Sequence, residues 1–162
     1  MVQWTRYGFA HLVRSLLVVA LGLAGLSGTA IAQTGNLVAN GGFEVPEISG
    51  KSQVLAAGST TLGGWTIGGN SISLIRGFWQ PQEGAQSIDL NGSGAGSIAQ
   101  SVGTTAGTYY KLRFYFSGHP DLGGNPARMT VRWNSTGSPS YSEQFTWVGS
   151  SAKSNMNWQL VE

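Results

Sequence analysis

No cysteine occurs anywhere in the 162 residues. That absence removes disulfide staples, thiol nucleophiles and thiolate metal sites together. Charge is also scarce, at 10% Asp, Glu, Lys and Arg, against about 25% in an ordinary soluble chain. The formal net charge of +2 comes from Arg6 and Arg14, and from Gln33 onward the chain carries seven basic and seven acidic residues. It has no basic patch for nucleic acid and no acidic tail for metal storage. His119 is the only histidine after residue 32, too few for a histidine-built metal site. Helical periodicity is missing from the same region. The one long apolar run, Leu16 to Leu26 (LLVVALGLAGL), falls well short of the roughly 20 residues that cross a bilayer.

What the chain does have, first, is the outline of a leader. Arg6, His11 and Arg14 precede the apolar run, and small residues follow it down to Ala30-Ile31-Ala32. A basic start, a short apolar middle and an A-x-A ending describe a secretory signal peptide, expected to be helical and cleaved between Ala32 and Gln33. The expected organisation is therefore residues 1–32 as signal peptide and 33–162 as one domain. The expected location is outside the cell or on its surface, with membrane contact only through the uncleaved leader. Without staples, the domain must rely on a packed core. Five of six tryptophans, four of five tyrosines and five of six phenylalanines lie after Ala32 to supply it.

Beyond the leader, short alternating apolar bursts are separated by Gly, Ser, Thr, Asn and Pro. Period-two alternation builds strands with one core face and one wet face. The clearest candidate is Thr108 to Ser117, with Tyr110, Leu112, Phe114 and Phe116 on one side. Arg128 to Trp133 points Met129, Val131 and Trp133 inward. Tyr141 to Trp147 puts Tyr141, Glu143, Phe145 and Trp147 on one face. Shorter strands are expected at Trp65–Ile67, Ser71–Ile75, Gln86–Leu90, Ser97–Val102 and Trp158–Val161. Many strands without helical spacers imply an all-β, antiparallel sandwich, of jelly-roll type.

Chemistry-bearing residues are few. Glu83 and Asp89 are two carboxylates six residues apart, and glycoside hydrolysis needs a pair about 5–9.5 Å apart in space. Glu83 falls in a turn and Asp89 in a strand, so a catalytic pair is not the favoured reading. His119-Pro120-Asp121 lies in a loop without a nucleophile elbow. Gly92, Gly94 and Gly96 have neither the lysine nor the helix of a phosphate loop, and read as a β-turn run. The aromatic and amide mixture Trp79, Gln80, Gln82, Glu83 and Gln86 fits sugar binding better, because sugar C–H faces stack on tryptophan while amides and carboxylates take the hydroxyls. The alternative is that Trp79 plugs one end of the sandwich.

The stretches NLVANGGFEVP (Asn36–Pro46), GWTI (Gly64–Ile67), SISLI (Ser71–Ile75), WQPQEGAQSIDLNG (Trp79–Gly92), IAQSV (Ile98–Val102) and GTYYKLRFYFSGHP (Gly107–Pro120) follow one another in an order that carries a likeness. The chain resembles the choice-of-anchor C group of bacterial exported proteins, related to the domain-of-unknown-function-642 proteins of plant cell walls. The resemblance implies a galactose-binding-like β-sandwich with no established enzymatic activity. It makes Ile88 and Leu90 core and gives Glu83 the shaping of a turn. It also implies a structural calcium in some sandwiches of this kind, with Glu44 as one ligand only in a form that has a further aspartate-bearing strand. No other cofactor is expected. Relatives of this group continue past the point matching Glu162, so the expected chain is short of its last strands, with Trp133, Phe145 and Trp147 losing cover. The expected function is an exported, non-catalytic module that binds polysaccharide or cell-wall glycan. The competing expectation is a structural or protein-interaction module without a small ligand, with a glycoside hydrolase behind both. Neither the glycan nor the oligomeric state follows from the sequence.

Overall fold

A computed structural model of the chain describes residues 2–5, 9–12, 35–105, 108–121, 126–134 and 141–162. These residues contain eleven strands and no helix: β1 (Val2–Thr5), β2 (Phe9–Leu12), β3 (Ser52–Ala56), β4 (Thr66–Gly69), β5 (Ser71–Arg76), β6 (Gln86–Asp89), β7 (Gly96–Gln100), β8 (Phe114–Ser117), β9 (Ala127–Trp133), β10 (Tyr141–Trp147) and β11 (Gln159–Val161). They form two sheets, ordered β10-β9-β1-β7-β4 and β11-β8-β2-β6-β5-β3. Every pairing is antiparallel. The expected all-β, antiparallel architecture is what the chain adopts.

One apolar core lies between the sheets. The first sheet contributes Ile67, Ile98, Met129, Val131 and Trp147, and the second Leu55, Ile72, Leu74, Ile88, Phe114 and Phe116. The inward assignments of Met129 and Val131 hold, with their neighbours Arg128 and Arg132 exposed. β10 runs in register with β9 over its whole length, Tyr141 opposite Trp133 and Trp147 opposite Ala127. A smaller cluster of Ile75, Trp79 and Met156, flanked by Phe78 and Trp158, packs separately from this core.

Three expectations differ from what is seen. The strand expected from Thr108 is confined to Phe114–Ser117. Residues 108–113 make no ladder, although their alternating pattern runs on unbroken. Second, β3 was not foreseen, because only Leu55 of its five residues is buried and no alternation marks it. Third, a helical leader was expected over residues 1–32, whereas Val2–Thr5 and Phe9–Leu12 are strands inside the two sheets. The cleavage residues Ala30, Ala32 and Gln33 lie outside the described residues. Of the side chains expected to lose cover, Trp147 is buried, and Trp133 and Phe145 are half-buried against the core.

Candidate functional site

The sequence candidates are best followed through the backbone they hold. Asn40 to Glu44 opens the domain with a tight turn in which Phe43 N–H donates to Asn40 O at 3.0 Å. Phe43 takes a left-handed φ of 60° yet is wholly buried, a conformation that costs a non-glycine residue on the order of 1 kcal/mol or more. Gln86 supports it: its Nε2 donates to Phe43 O at 2.7 Å and Pro46 O at 3.0 Å, while its Oε1 accepts from Ile48 N–H at 2.8 Å. In return, Glu44 Oε1 accepts the N–H groups of Ala85 and Gln86 at 3.0 and 3.1 Å. The two most distinctive stretches of the sequence are thus halves of one interlocked backbone clamp. Gly84 belongs to it, since a Cβ there would lie 2.2 Å from Glu44 Oε1.

The remaining members of the Trp79 group are dispersed. Trp79 is 4% exposed, its indole N–H donates to Ser87 Oγ at 2.9 Å, and its ring makes T-shaped contacts with Phe78 and His119. Neither face of that ring is offered to a surface ligand. Gln80 is exposed, but its backbone N–H and O are engaged by Lys153 O and Trp158 Nε1–H. Gln82 buries its Oε1 without a hydrogen-bond partner among the described residues, and Glu83 is exposed in the turn before β6. Asp89 is buried at the far end of β6. Burial pushes its carboxyl above the usual carboxylate range, against the opposing pull of the Asn91 amide and of His119. The structure therefore does not draw Trp79, Gln80, Gln82, Glu83 and Gln86 into one exposed site, nor Glu83 and Asp89 into one pair. Among the described residues no group of three or more acidic, histidine or cysteine side chains is placed to hold a metal ion.

The concave feature with chemistry lies elsewhere. β10 and β11 are the edge strands of opposite sheets, and between them opens a cleft of about 580 Å³. Tyr109, Tyr110, Trp133, Tyr141 and Phe145 line it with Lys111, Glu143 and Glu162. Tyr110 and Trp133 stack with ring centroids 6.3 Å apart and planes 22° apart, while Phe145 stands edge-on to Phe114 at 5.5 Å. Tyr109 and Tyr141 are more than half exposed. Tyr141 donates its hydroxyl to Glu143, and the accepting carboxylate holds that phenol above its ordinary range. Glu162 ties the 108–113 segment to the end of β11. Lys111 Nζ donates to its Oε2 at 2.7 Å, and Arg113 Nε lies 2.6 Å from Oε1, an ion pair without hydrogen-bond alignment. Lys111 and then Arg113 keep the Glu162 carboxyl below its usual range.

The sequence puts Trp133 on an inward face, Tyr110 on one side of its strand and Tyr141, Glu143 and Phe145 on one face of theirs, but does not join them into a site. The available signal was Glu143, an acid on the apolar face of β10 between two aromatics. Tyr109 and Lys111 have the opposite parity in the alternation expected from Thr108 to Ser117. Without a ladder over 108–113, residues of both parities reach the cleft.

Residues 36–161 match the family model described as "Protein of unknown function (DUF642)". The chain is also 40% identical over 124 residues to Halomucin of Haloquadratum walsbyi (strain DSM 16790 / HBSQ001). That alignment covers 74% of this chain and 1% of Halomucin, so the chain spans a very small part of the relative it matches. No solved structure matches the chain.

Proposed function

The chain belongs to the DUF642 family, and from that premise we propose that it is an exported, non-catalytic module that binds polysaccharide in the cleft between β10 and β11. The observation carrying this reading is the aromatic lining of the cleft, with exposed Tyr109 and Tyr141 at its mouth and Lys111 and Glu143 beside them. Tyrosine and tryptophan faces receive the C–H surfaces of sugar rings, while charged and hydroxyl groups at the edge take the hydroxyls. In this reading the sandwich is of the galactose-binding-like, jelly-roll type, within the choice-of-anchor C branch of the resemblance. The Trp79 loop is scaffold, and Glu44 is an anchor for the turn before β6 rather than a calcium ligand. The leader-like composition of residues 1–32 supports export to the surface or the medium.

Affinity electrophoresis through gels carrying xylan, galactan, pectin or β-glucan tests the reading. At least one polysaccharide should retard the protein, and Tyr141→Ala should lose most of that retardation without lowering the melting temperature by more than a few degrees, since Tyr141 is 54% exposed. Unretarded migration in every gel, or retardation that survives both Tyr141→Ala and Trp133→Ala, would count against it. The competing reading, a structural module that contacts protein, predicts the first of those failures.

A further inference from the structure

The cleft is chemically divided by depth, and this division narrows the ligand class. At the mouth stand Tyr109, Tyr141 and Glu143, all exposed, with Lys111 half-buried. Besides Thr108, Tyr110, Trp133 and Glu162, which carry its remaining polar atoms, the cleft has a floor of Phe114 and Val131, respectively 1% and 4% exposed, and is lined further by half-buried Leu112, Phe145 and Val161. None of these last five side chains carries a polar atom. An unsubstituted sugar driven to the floor would bury hydroxyls against groups that cannot bond them, which is unfavourable. A sugar held only at the mouth would leave most of the 580 Å³ without a matching occupant.

We infer that the cleft takes a sugar carrying an apolar substituent, an acyl or alkyl group, with the ring stacked at the tyrosine mouth and the substituent lying on the Phe114–Val131 floor. The inference rests on the glycan reading above and adds the second half of the ligand. Polarity matches in order along the axis: hydroxyls meet the Tyr141–Glu143 pair and Lys111, and methylenes meet Leu112, Phe145 and Val161. The same chemistry occurs on O-acylated polysaccharides and on glycolipid headgroups.

Calorimetric titration of the full chain with methyl β-glucoside, octyl β-glucoside below its micelle concentration, and 1-octanol tests both halves separately. Burial of each methylene is worth roughly a fourfold gain in affinity, so partial seating of the chain should make octyl glucoside at least about 30-fold tighter than methyl glucoside. Val131→Trp, which fills the floor, should abolish that gain and bring octyl glucoside down to the affinity of methyl glucoside. Val161→Phe at the half-buried wall serves the same purpose if the first variant fails to fold. Equal affinity for the two glucosides would overturn this inference and leave the glycan reading standing. Octanol binding as tight as octyl glucoside would remove the sugar from the site and overturn both, as would no binding by any of the three. Retardation by O-acetylated but not by deacetylated xylan would place the substituent on a polysaccharide. Cosedimentation with phosphatidylcholine vesicles only when they contain digalactosyl diacylglycerol would place it on a lipid.

Discussion

Gln86 concentrates more backbone bonding than any charged residue of the chain's most distinctive stretch. It is 0% exposed, and its amide serves Ile48 N–H, Phe43 O and Pro46 O at once. Gln86→Ala removes the hydrogen bonds to Ile48 N–H, Phe43 O and Pro46 O, the first two of them buried, so a loss of about 2–4 kcal/mol is expected, read from the midpoint of urea denaturation. A loss below about 0.5 kcal/mol would mean that water replaces the amide at no cost. Asp89 behaves in the opposite sense. Because burial raises its carboxyl above the ordinary value of 3.8, the native chain holds the proton more tightly than the unfolded chain does. Its stabilising contribution is then fully present below about pH 3.8 and is lost as pH rises through the higher native value. Asp89→Asn keeps an oxygen for the Asn91 amide, which now donates to Asp89 Oδ1 at 2.8 Å, and removes the charge. The variant should melt a few degrees above the wild type at pH 7, with the gap closing as the pH approaches 3.8. A gap of the same size across that range would show that charge is not its cause.

At the scale of elements, the crossing from β6 to β7 is the tightest point of the sandwich. The run Asn91 to Gly96 closes through the Asn91–Ala95 bridge and the bond from Gly96 N–H to Leu90 O at 2.7 Å. Ser71 Oγ, at the start of β5, accepts from Ser93 N–H at 2.8 Å. A Cβ on Gly96 would fall 2.1 Å from Ser71 O and 2.7 Å from its carbonyl carbon, both backbone atoms that cannot rotate away. Gly96→Ala should cost about 3–5 kcal/mol, whereas Gly103→Ala, with nothing within 4 Å, should change the thermal midpoint by less than about 2 °C. Reading these glycines as a turn run was therefore right in kind, but the sequence does not show which of them touches another sheet. β9 and β10 were legible because their alternation runs the length of each strand, although on β10 only Phe145 and Trp147 of the aromatic face are covered. β3 was not, because a single buried leucine leaves no period to detect. The 108–113 segment misled because it has a strand's alternation without a partner strand, with Lys111 and Arg113 turned to Glu162 instead. The candidate site was harder still. Its aromatics come from the 108–113 segment, β9 and β10, and only pairing brings them together. Composition likewise cannot separate a glutamine that bonds sugar from one, like Gln86, spent on its own backbone.

At the scale of the whole molecule, both sheets depend on residues that the sequence marks as a leader. β1 lies between β9 and β7, with Gln3 opposite both Arg132 and Ala99. β2 lies between β8 and β6, with Ala10 opposite both Phe116 and Ile88. Without them the first sheet divides into β10-β9 and β7-β4, and the second into β11-β8 and β6-β5-β3. Four inner edges would then expose unpaired N–H and C=O groups, a template for aggregation. Cleavage after Ala32 and strand duty for Val2–Thr5 and Phe9–Leu12 are therefore in direct competition, and stability decides between them. A domain of this size is stable by about 5–15 kcal/mol, and losing a central strand from each sheet would remove most of that. Residues 33–162 alone should melt broadly and at low temperature, or aggregate, while the full chain melts in one sharp transition. Proline in a central strand deletes a ladder bond and leaves the facing carbonyl unbonded, which costs about 1–3 kcal/mol. Gln3→Pro and Ala10→Pro in the full chain should therefore each lower the midpoint by a few degrees or more. If residues 33–162 melt as sharply and as high as the full chain, and both proline variants match the wild type, then Val2–Thr5 and Phe9–Leu12 lie outside the fold. The two slots would then have to close on themselves, bringing β9 against β7 and β8 against β6.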